Sequence, residues 1–117
     1  MSKLEVYVSQ DGKSMFIIAH CSEKFSTGVM VLEPSSELPP HKRPCVEELY
    51  QISGKCEIRF SDGRIITLEE GSHIQIEPGR EHVHANPFEE RSITQWKAHG
   101  DIRSIIEKIR ETYKRVI

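Results

Sequence analysis

Apolar and polar residues alternate in short runs along most of the chain, a pattern typical of β-strands that bury one face. The runs cover residues 4–9, 15–21, 25–32, 47–60, 64–68, 73–76, 82–85 and 91–98. Turn sequences separate them, and Asp-Gly at positions 11–12 and 62–63 indicates hairpins. Short strands at spacings of about 8–12 residues predict an antiparallel sandwich or barrel.

The last part of the chain follows a different period. Gly100 and Asp101 supply a stop and a candidate N-cap for a new element. The apolar residues that follow lie three and four positions apart, at Ile102, Ile105, Ile106, Ile109, Tyr113 and Val116. This spacing predicts an amphipathic helix over about 101–116. We expect it to pack on the outside of a sheet, and the alternative is a helix that binds a partner or a second copy.

Composition and charge exclude several classes of protein. The chain has 117 residues, a length that favours one domain over 1–117. Within this domain, the predicted strands place a barrel over about 4–98. The chain carries 16 basic and 18 acidic residues, so its net charge is −2. This balance gives no basic footprint for nucleic acid, and no apolar stretch is long enough to span a membrane. Three irregularly spaced cysteines exclude a complete disulfide framework and, without a secretory signal, favour a cytoplasmic location.

Histidines and one carboxylate lie in predicted strands of which neither face is cleanly hydrophobic. Residues two apart share a face of an extended segment, which pairs His41 with Arg43 in one stretch and His82 with His84 in another. Glu47 opens the strand that follows the first stretch. Burying such groups without partners would cost several kcal/mol, so a metal ion or a shared hydrogen-bond network is expected to offset that cost.

Two motifs make the sequence resemble the cupins, a superfamily of small β-barrels. The first cupin motif places a Gly, two His residues, a Glu and a second Gly at fixed spacings. Here Ser35, His41, Arg43, Glu47 and Gly54 occupy those positions. Ser35 thus replaces the first Gly, and Arg43 replaces the second His.

The second cupin motif contains Gly, Pro, Gly, His and Asn, and this chain matches it with Gly71, Pro78, Gly79, His82 and Asn86. The Pro is displaced by one position. The two motifs together imply an all-β, double-stranded β-helix (jelly-roll) barrel of about eight to eleven strands in two antiparallel sheets, with the C-terminal helix as a cap. The resemblance also implies a homodimer, which exposed sheet edges favour as well.

Carried over residue by residue, the resemblance implies that His41, Glu47 and His82 ligate a divalent transition metal. Two imidazoles and one carboxylate suit Fe, and Mn, Ni, Co or Zn would also fit such a site. His84 is a candidate fourth nitrogen ligand, and Cys45 is a more remote one. Arg43 does not coordinate metals.

Two of these residues carry open alternatives. Arg43 is either a clamp for a substrate carboxylate or phosphate or the partner of Glu47 in an ion pair that replaces the metal. His84 is either a barrel-lining residue bonded to Asn86, Gln51 or water, or a catalytic group that moves a proton.

The functional expectation is a metal-dependent enzyme that acts on a small polar or anionic substrate. Cupin chemistry includes oxygenation, isomerisation, decarboxylation and lyase reactions, and the resemblance does not choose among them. Arg43 and His84 are the candidate catalytic residues, and Arg43, Gln51 and Asn86 are the candidate substrate-binding residues. The alternative is a metal-free module that binds a sugar or another metabolite without catalysis.

Overall fold

A computed structural model describes residues 4–117. Over this range the chain forms eleven strands and one helix, in the following order. The elements are β1 (Glu5–Val8), β2 (Ser14–Cys21), β3 (Ser26–Leu32), β4 (Ser36–Glu37), β5 (Glu47–Ser53), β6 (Cys56–Phe60), β7 (Ile65–Leu68), β8 (His73–Ile76), β9 (His82–Asn86), β10 (Ser92–Ala98), α1 (Arg103–Thr112) and β11 (Lys114–Arg115). Each predicted strand region contains at least one observed strand.

The strands form two antiparallel sheets that share one core. The large sheet has the order β11-β1-β2-β3-β10-β5-β8, and the small sheet has the order β4-β9-β6-β7. Strict alternation of buried and half-buried residues in β3 and β10 follows the period of two in their sequences. Leu49 and Trp96 of the large sheet and Ile58 of the small sheet lie in the same apolar cluster. The predicted all-β barrel with one helix is therefore confirmed.

The segment between β3 and β5 is more ordered than its prolines suggest. Ser36 and Glu37 pair with the end of β9, and His41 forms an antiparallel bridge with His82. Ser35, which stands where the cupin motif has Gly, adopts a positive φ of 62°, a conformation that costs other residues more than Gly. The segment thus runs along β9 and closes this side of the barrel.

The helix is shorter than its sequence pattern predicts. Its N-cap is Ile102, which makes no side-chain capping bond, whereas Asp101 accepts a hydrogen bond of 3.1 Å from the backbone N–H of Arg103. After Thr112 the chain extends and pairs with β1 as β11. Val116 is therefore 49% exposed instead of continuing the apolar face of a helix. The free backbone groups at the edge of β1 provide partners that a longer helix would not use.

Helix α1 lies where the cupin resemblance implies a cap, and not on the outside of a sheet as its apolar period alone suggested. Ile102 and Ile106 are 3% and 1% exposed, and they belong to the core cluster that contains inward-facing Phe16 and Trp96 of the large sheet. The apolar face of α1 therefore covers one open end of the barrel. With ten residues, α1 is too short to cross a membrane, and no other helix occurs in residues 4–117.

Candidate metal site

Four side chains from three parts of the chain meet inside the barrel next to the end that α1 covers. His41 comes from the segment after β4, Glu47 begins β5, and His82 and His84 lie on β9. One potential ligand atom from each lies within 4.8 Å of the others. Glu47, His82 and His84 are 4%, 1% and 3% exposed. The residues that the cupin resemblance implies as ligands are thus brought together, and His84 joins them.

Backbone pairing accounts for this convergence. The bridge between His41 and His82 is closed by two hydrogen bonds of 2.9 Å, in which each backbone N–H donates to the other residue's carbonyl. The period of two along β9 then places the His84 side chain on the same inner face as that of His82. Glu47 reaches the same space from the large sheet, where it pairs with Ile76 and Ala98.

Two backbone carbonyls orient the imidazoles. Nδ1 of His82 donates to the carbonyl of Arg80 at 2.7 Å, and Nδ1 of His41 donates to the carbonyl of Pro39 at 3.3 Å. When each ring is neutral, this bond leaves the lone pair on Nε2, as in many metal-ligating histidines. Nε2 of His82 has no partner among the described residues, whereas Nε2 of His41 accepts a hydrogen bond from His84 that a bound ion would displace. The sequence contains no signal for either carbonyl, because any residue supplies one.

The distances within the cluster suit a common ion. Oε1 of Glu47 lies 3.5 Å from Nε2 of His82 and 3.4 Å from Nε2 of His84, and Nε2 of His84 lies 3.0 Å from Nε2 of His41. Ligands bound at about 2.1 Å and at right angles to each other are about 3 Å apart. Small adjustments would bring these atoms to that spacing.

The electrostatics of the cluster also suit a cation. Oε1 of Glu47 and Nε2 of His82 are buried and have no hydrogen-bond partner among the described residues. Burial raises the pKa of Glu47, but the neighbouring His82, His84 and Arg43 outweigh it and hold that pKa well below its usual value. Burial, together with the neighbouring His84 and Arg43 side chains, lowers the pKa of His41 to about 2. The site therefore offers a carboxylate at Glu47 and a neutral imidazole at His41, which are the forms that bind metals.

Arg43 lies beside the cluster and contacts Glu47. Its Nε is 3.2 Å from Oε2 of Glu47, and its side chain is 16% exposed. One of the two alternatives for Arg43, an ion pair with Glu47, is therefore present. It engages one carboxylate oxygen, however, and leaves Oε1 directed towards the histidines. The ion pair and a bound ion are thus sterically compatible.

His84 differs from the other two histidines in its hydrogen bonding. Since Nδ1 of His41 donates to Pro39, the contact between the Nε2 atoms of His84 and His41 requires His84 to be the donor. Nδ1 of His84 is buried without a partner in the described part of the chain, and burial lowers the pKa of His84. His84 thus carries its proton on the nitrogen that faces the cluster.

Gln51 and Asn86 lie on buried faces, but their amide groups are used within the fold. Gln51 donates to the carbonyl of Ser53 and to Oγ of Ser92, and it accepts from Thr94. The amide of Asn86 is equally occupied, since it donates to the carbonyls of Leu32 and Glu90 and accepts from the backbone N–H of Phe88. His84 has a hydrogen bond to neither of them, contrary to one of its alternatives. A substrate-binding role for Gln51 and Asn86 stays a prediction, and these bonds favour a structural role.

Cys45 stays outside the cluster, because its side chain packs against Gly100. A histidine contact that the sequence pattern does not indicate lies on the outer face of the large sheet. There Glu48 accepts hydrogen bonds from Nε2 of His73 and Nε2 of His99. The two histidine side chains are about 40% exposed, and this contact belongs to the surface.

A cavity of about 190 Å³ lies between the cluster and α1. His41, Arg43, Glu47 and His84 line one part of it. The other walls come from inward-facing barrel residues and from the apolar face of α1. The helix therefore contributes to the site, a role that its sequence period could not indicate.

Comparisons with known proteins agree with this architecture. An RmlC-like cupin from Shewanella frigidimarina is 13% identical, with a TM-score of 0.72 over 90% of this chain and 89% of that chain. A protein with a double-stranded β-helix domain from Klebsiella pneumoniae is 24% identical, with a TM-score of 0.68 over 80% and 84%. The cupin domain of an XRE family transcriptional regulator from Enterobacter cloacae is 22% identical, with a TM-score of 0.64 over 74% and 96%. These likenesses show the fold.

No curated protein sequence matches the chain significantly. The family described as "Cupin domain" matches residues 28–94, which is more than half of the chain and contains the four clustered side chains. Together with the barrel and the two motifs, this match shows that the chain belongs to the cupin family.

Proposed function

We propose that this cupin holds one divalent transition metal through His41, Glu47 and His82 and acts as a metal-dependent enzyme on a small molecule. The observation that carries the proposal is the pair of buried, unpartnered atoms, Oε1 of Glu47 and Nε2 of His82, beside the Nε2 atom of His41. Leaving such atoms without partners costs free energy. An ion would satisfy them, and the ligand set fits Fe, Mn, Ni, Co or Zn.

The surrounding residues would divide the work of catalysis. The metal would supply a Lewis acid that polarises an oxygen of the substrate. Arg43 would bind an anionic group of the substrate through its terminal amino groups. His84, which carries its proton towards the cluster, would transfer that proton to or from the reacting atoms.

The ion pair between Arg43 and Glu47 favours a second candidate, a metal-free cupin that binds a small molecule without catalysis. In that case Arg43 would neutralise Glu47, and the cavity alone would recognise a sugar or another metabolite. The likeness to a cupin domain of a transcriptional regulator is consistent with such a binding role. Metal content distinguishes the two candidates.

The test is metal analysis of protein expressed without a histidine tag. We expect close to one transition metal ion per chain, and we expect His82→Ala to lose it because Nε2 of His82 would be a ligand. His73→Ala is the matched control, since His73 is an exposed histidine on the outer face. Metal-free protein that also fails to take up added metal would contradict the enzyme proposal and favour the binding module.

We further propose a homodimer in a reducing, cytoplasmic setting. All three cysteines are free thiols, which supports a reducing compartment. An apolar surface on the outer face of the large sheet, formed by Met15, Ile17, Val29, Val31 and Ile93, supports self-association.

A further inference from the structure

The cavity beside the cluster has the size of a small ligand. Its volume of about 190 Å³ slightly exceeds that of an engineered apolar protein cavity of about 150 Å³ that binds benzene. A compound with one six-membered ring and a short polar group would therefore fill it, whereas two fused rings would not fit.

Most of the cavity wall is apolar. The barrel contributes one side and α1 contributes the other, through Phe16, Met30, Leu38, Leu49, Trp96, Ile105, Ile109 and Tyr113. Apart from the Trp96 indole N–H and the Tyr113 hydroxyl, these side chains offer nothing to hydrogen-bond the hydroxyl groups of a sugar, which would lose their water on binding. The wall thus selects a ligand with an apolar body, which narrows the small polar or anionic substrate expected from the sequence.

Two cationic side chains line the cavity. Arg43 lines it next to the cluster, and Lys108 of α1 lines its solvent side. Nε of Arg43 faces Glu47, and its two terminal amino groups make no hydrogen bond to any residue of 4–117. Two cations against the single carboxylate of Glu47 favour an anionic ligand, and a guanidinium binds a carboxylate well.

Trp96 forms part of the cavity wall and is 9% exposed. Its indole nitrogen is buried away from the cavity surface and has no acceptor within residues 4–117. Trp96 therefore presents the apolar part of its ring to a ligand.

From these observations we infer that the cavity binds a compact monocarboxylate whose apolar body is about the size of one six-membered ring. The carboxylate lies towards Arg43 and the cluster, and the ring lies between Trp96 and the apolar face of α1. The inference deepens the proposed function, because it names the ligand class of the same site. Ligand binding and metal binding are nevertheless measured separately.

Trp96 is the only tryptophan of the chain, so its fluorescence reports directly on the cavity. We expect benzoate to change the fluorescence saturably. Acetate lacks the ring and benzyl alcohol lacks the charge, so each loses one of the two contacts that benzoate makes. Each should therefore bind at least about tenfold more weakly than benzoate. 2-Naphthoate, which is too large, should not bind.

Arg43→Gln tests the carboxylate contact. It should weaken benzoate binding at least about tenfold, as expected for a hydrogen bond to a charged group, and should leave binding of benzyl alcohol unchanged. Lys42→Gln is the matched control, since Lys42 is an exposed cation that does not line the cavity. Equal binding of benzoate and acetate, or an unchanged benzoate affinity in Arg43→Gln, would overturn the inference.

Metal analysis of the same samples separates the two proposals. Benzoate selectivity in protein that takes up no metal would support the ligand class and contradict the metal-dependent enzyme. Metal-loaded protein that does not bind benzoate would overturn the ligand class and leave the metal site standing.

Discussion

Gly28 shapes the wall of the cavity although it carries no side chain. It is the strand partner of Trp96 across β3 and β10. A Cβ atom at this position would lie 2.6 Å from Cζ2 of Trp96 and 1.9 Å from the carbonyl oxygen of Ile17. The second contact is with backbone and cannot be relieved by a change of rotamer. Gly28 thus allows the indole to lie against the sheet and leave space in the barrel.

Gly28→Ala should therefore be strongly destabilising. We expect the free energy of unfolding to fall by about 3 kcal/mol or more, because overpacking against backbone shifts a central strand. We also expect the fluorescence of Trp96 to change. Urea unfolding measures the first effect. Gly63→Ala is the control: a Cβ there meets no atom within 4 Å and adds only the strain of a positive φ of 94°, so it should cost about 1 kcal/mol. Equal losses would contradict the packing argument.

At the residue scale, the sequence predicted the members of the site better than their contacts. Alternation on β9 placed His82 and His84 on one face, and the cupin motifs added His41 and Glu47. The hydrogen-bonding state of Gln51 and Asn86 was not predictable, since each residue also has partners far away in sequence, Ser92 and Thr94 for Gln51 and Leu32 for Asn86. Which oxygen of Glu47 meets Arg43 depends on the same kind of long-range packing.

Helix α1 forms one wall of the cavity and is held at both ends. Near its start, Ile106 is buried in the core. Near its end, Arg110 forms a two-pronged ion pair with Glu5 of β1, with distances of 3.0 Å from Nε and 2.8 Å from Nη2. The pairing of β11 with β1 holds the chain that follows. The helix is thus fastened to the edge of the large sheet.

The ion pair gives α1 a pH-dependent contribution to stability. The Arg110 guanidinium lowers the pKa of Glu5 to about 2 from its usual 4.5. A carboxyl whose pKa falls on folding stabilises the protein above its unfolded-state pKa, and that stabilisation is lost as the pH falls through its folded-state pKa. Glu5 is partly solvated, so we expect a contribution of no more than about 1 kcal/mol.

Glu5→Gln should therefore lower the free energy of unfolding by up to about 1 kcal/mol at pH 7. Its difference from the wild type should shrink between about pH 4.5 and pH 2, as the wild-type carboxyl becomes protonated. Urea unfolding at several pH values measures both effects. Glu111→Gln, on the exposed side of α1, is the matched control and should show no such trend. A difference that stays constant down to pH 2 would exclude the ion pair as its source.

The spacing of apolar residues predicted whether each element is a strand or a helix, but not the surface against which the element packs. The spacing of Ile102, Ile105, Ile106 and Ile109 predicted a helix with one apolar face, and the structure contains it. The same spacing could not indicate that this face closes the barrel, because that depends on which strands leave an open end. The helix ends early because β1 offers a free edge, which is also a property of the sheet.

For the molecule as a whole, the outer face of the large sheet is unusually apolar. Outward positions of antiparallel strands are commonly polar. Here Met15 pairs with Val31 and Val31 with Ile93, while Ile17 pairs with Val29, and all five side chains point outward and are half-buried. Apolar surface that spans three adjacent strands is typical of an interaction site. A two-fold axis through this face would cover it with an identical copy and need no other partner.

Val31 lies at the centre of this surface, so Val31→Glu should separate the copies. We expect the wild type to have twice the chain mass of 13.5 kDa by light scattering and sedimentation. The variant should have the single-chain mass, since each interface would bury two unpaired carboxylates. Gln95→Glu, at the strand partner of Val29, is the control for added charge and should weaken the dimer less.

Because the cavity opens beside α1 and not on this face, Val31→Glu should keep its metal and its benzoate affinity. A wild type of single-chain mass, or a Val31→Glu dimer, would rule this face out as the contact.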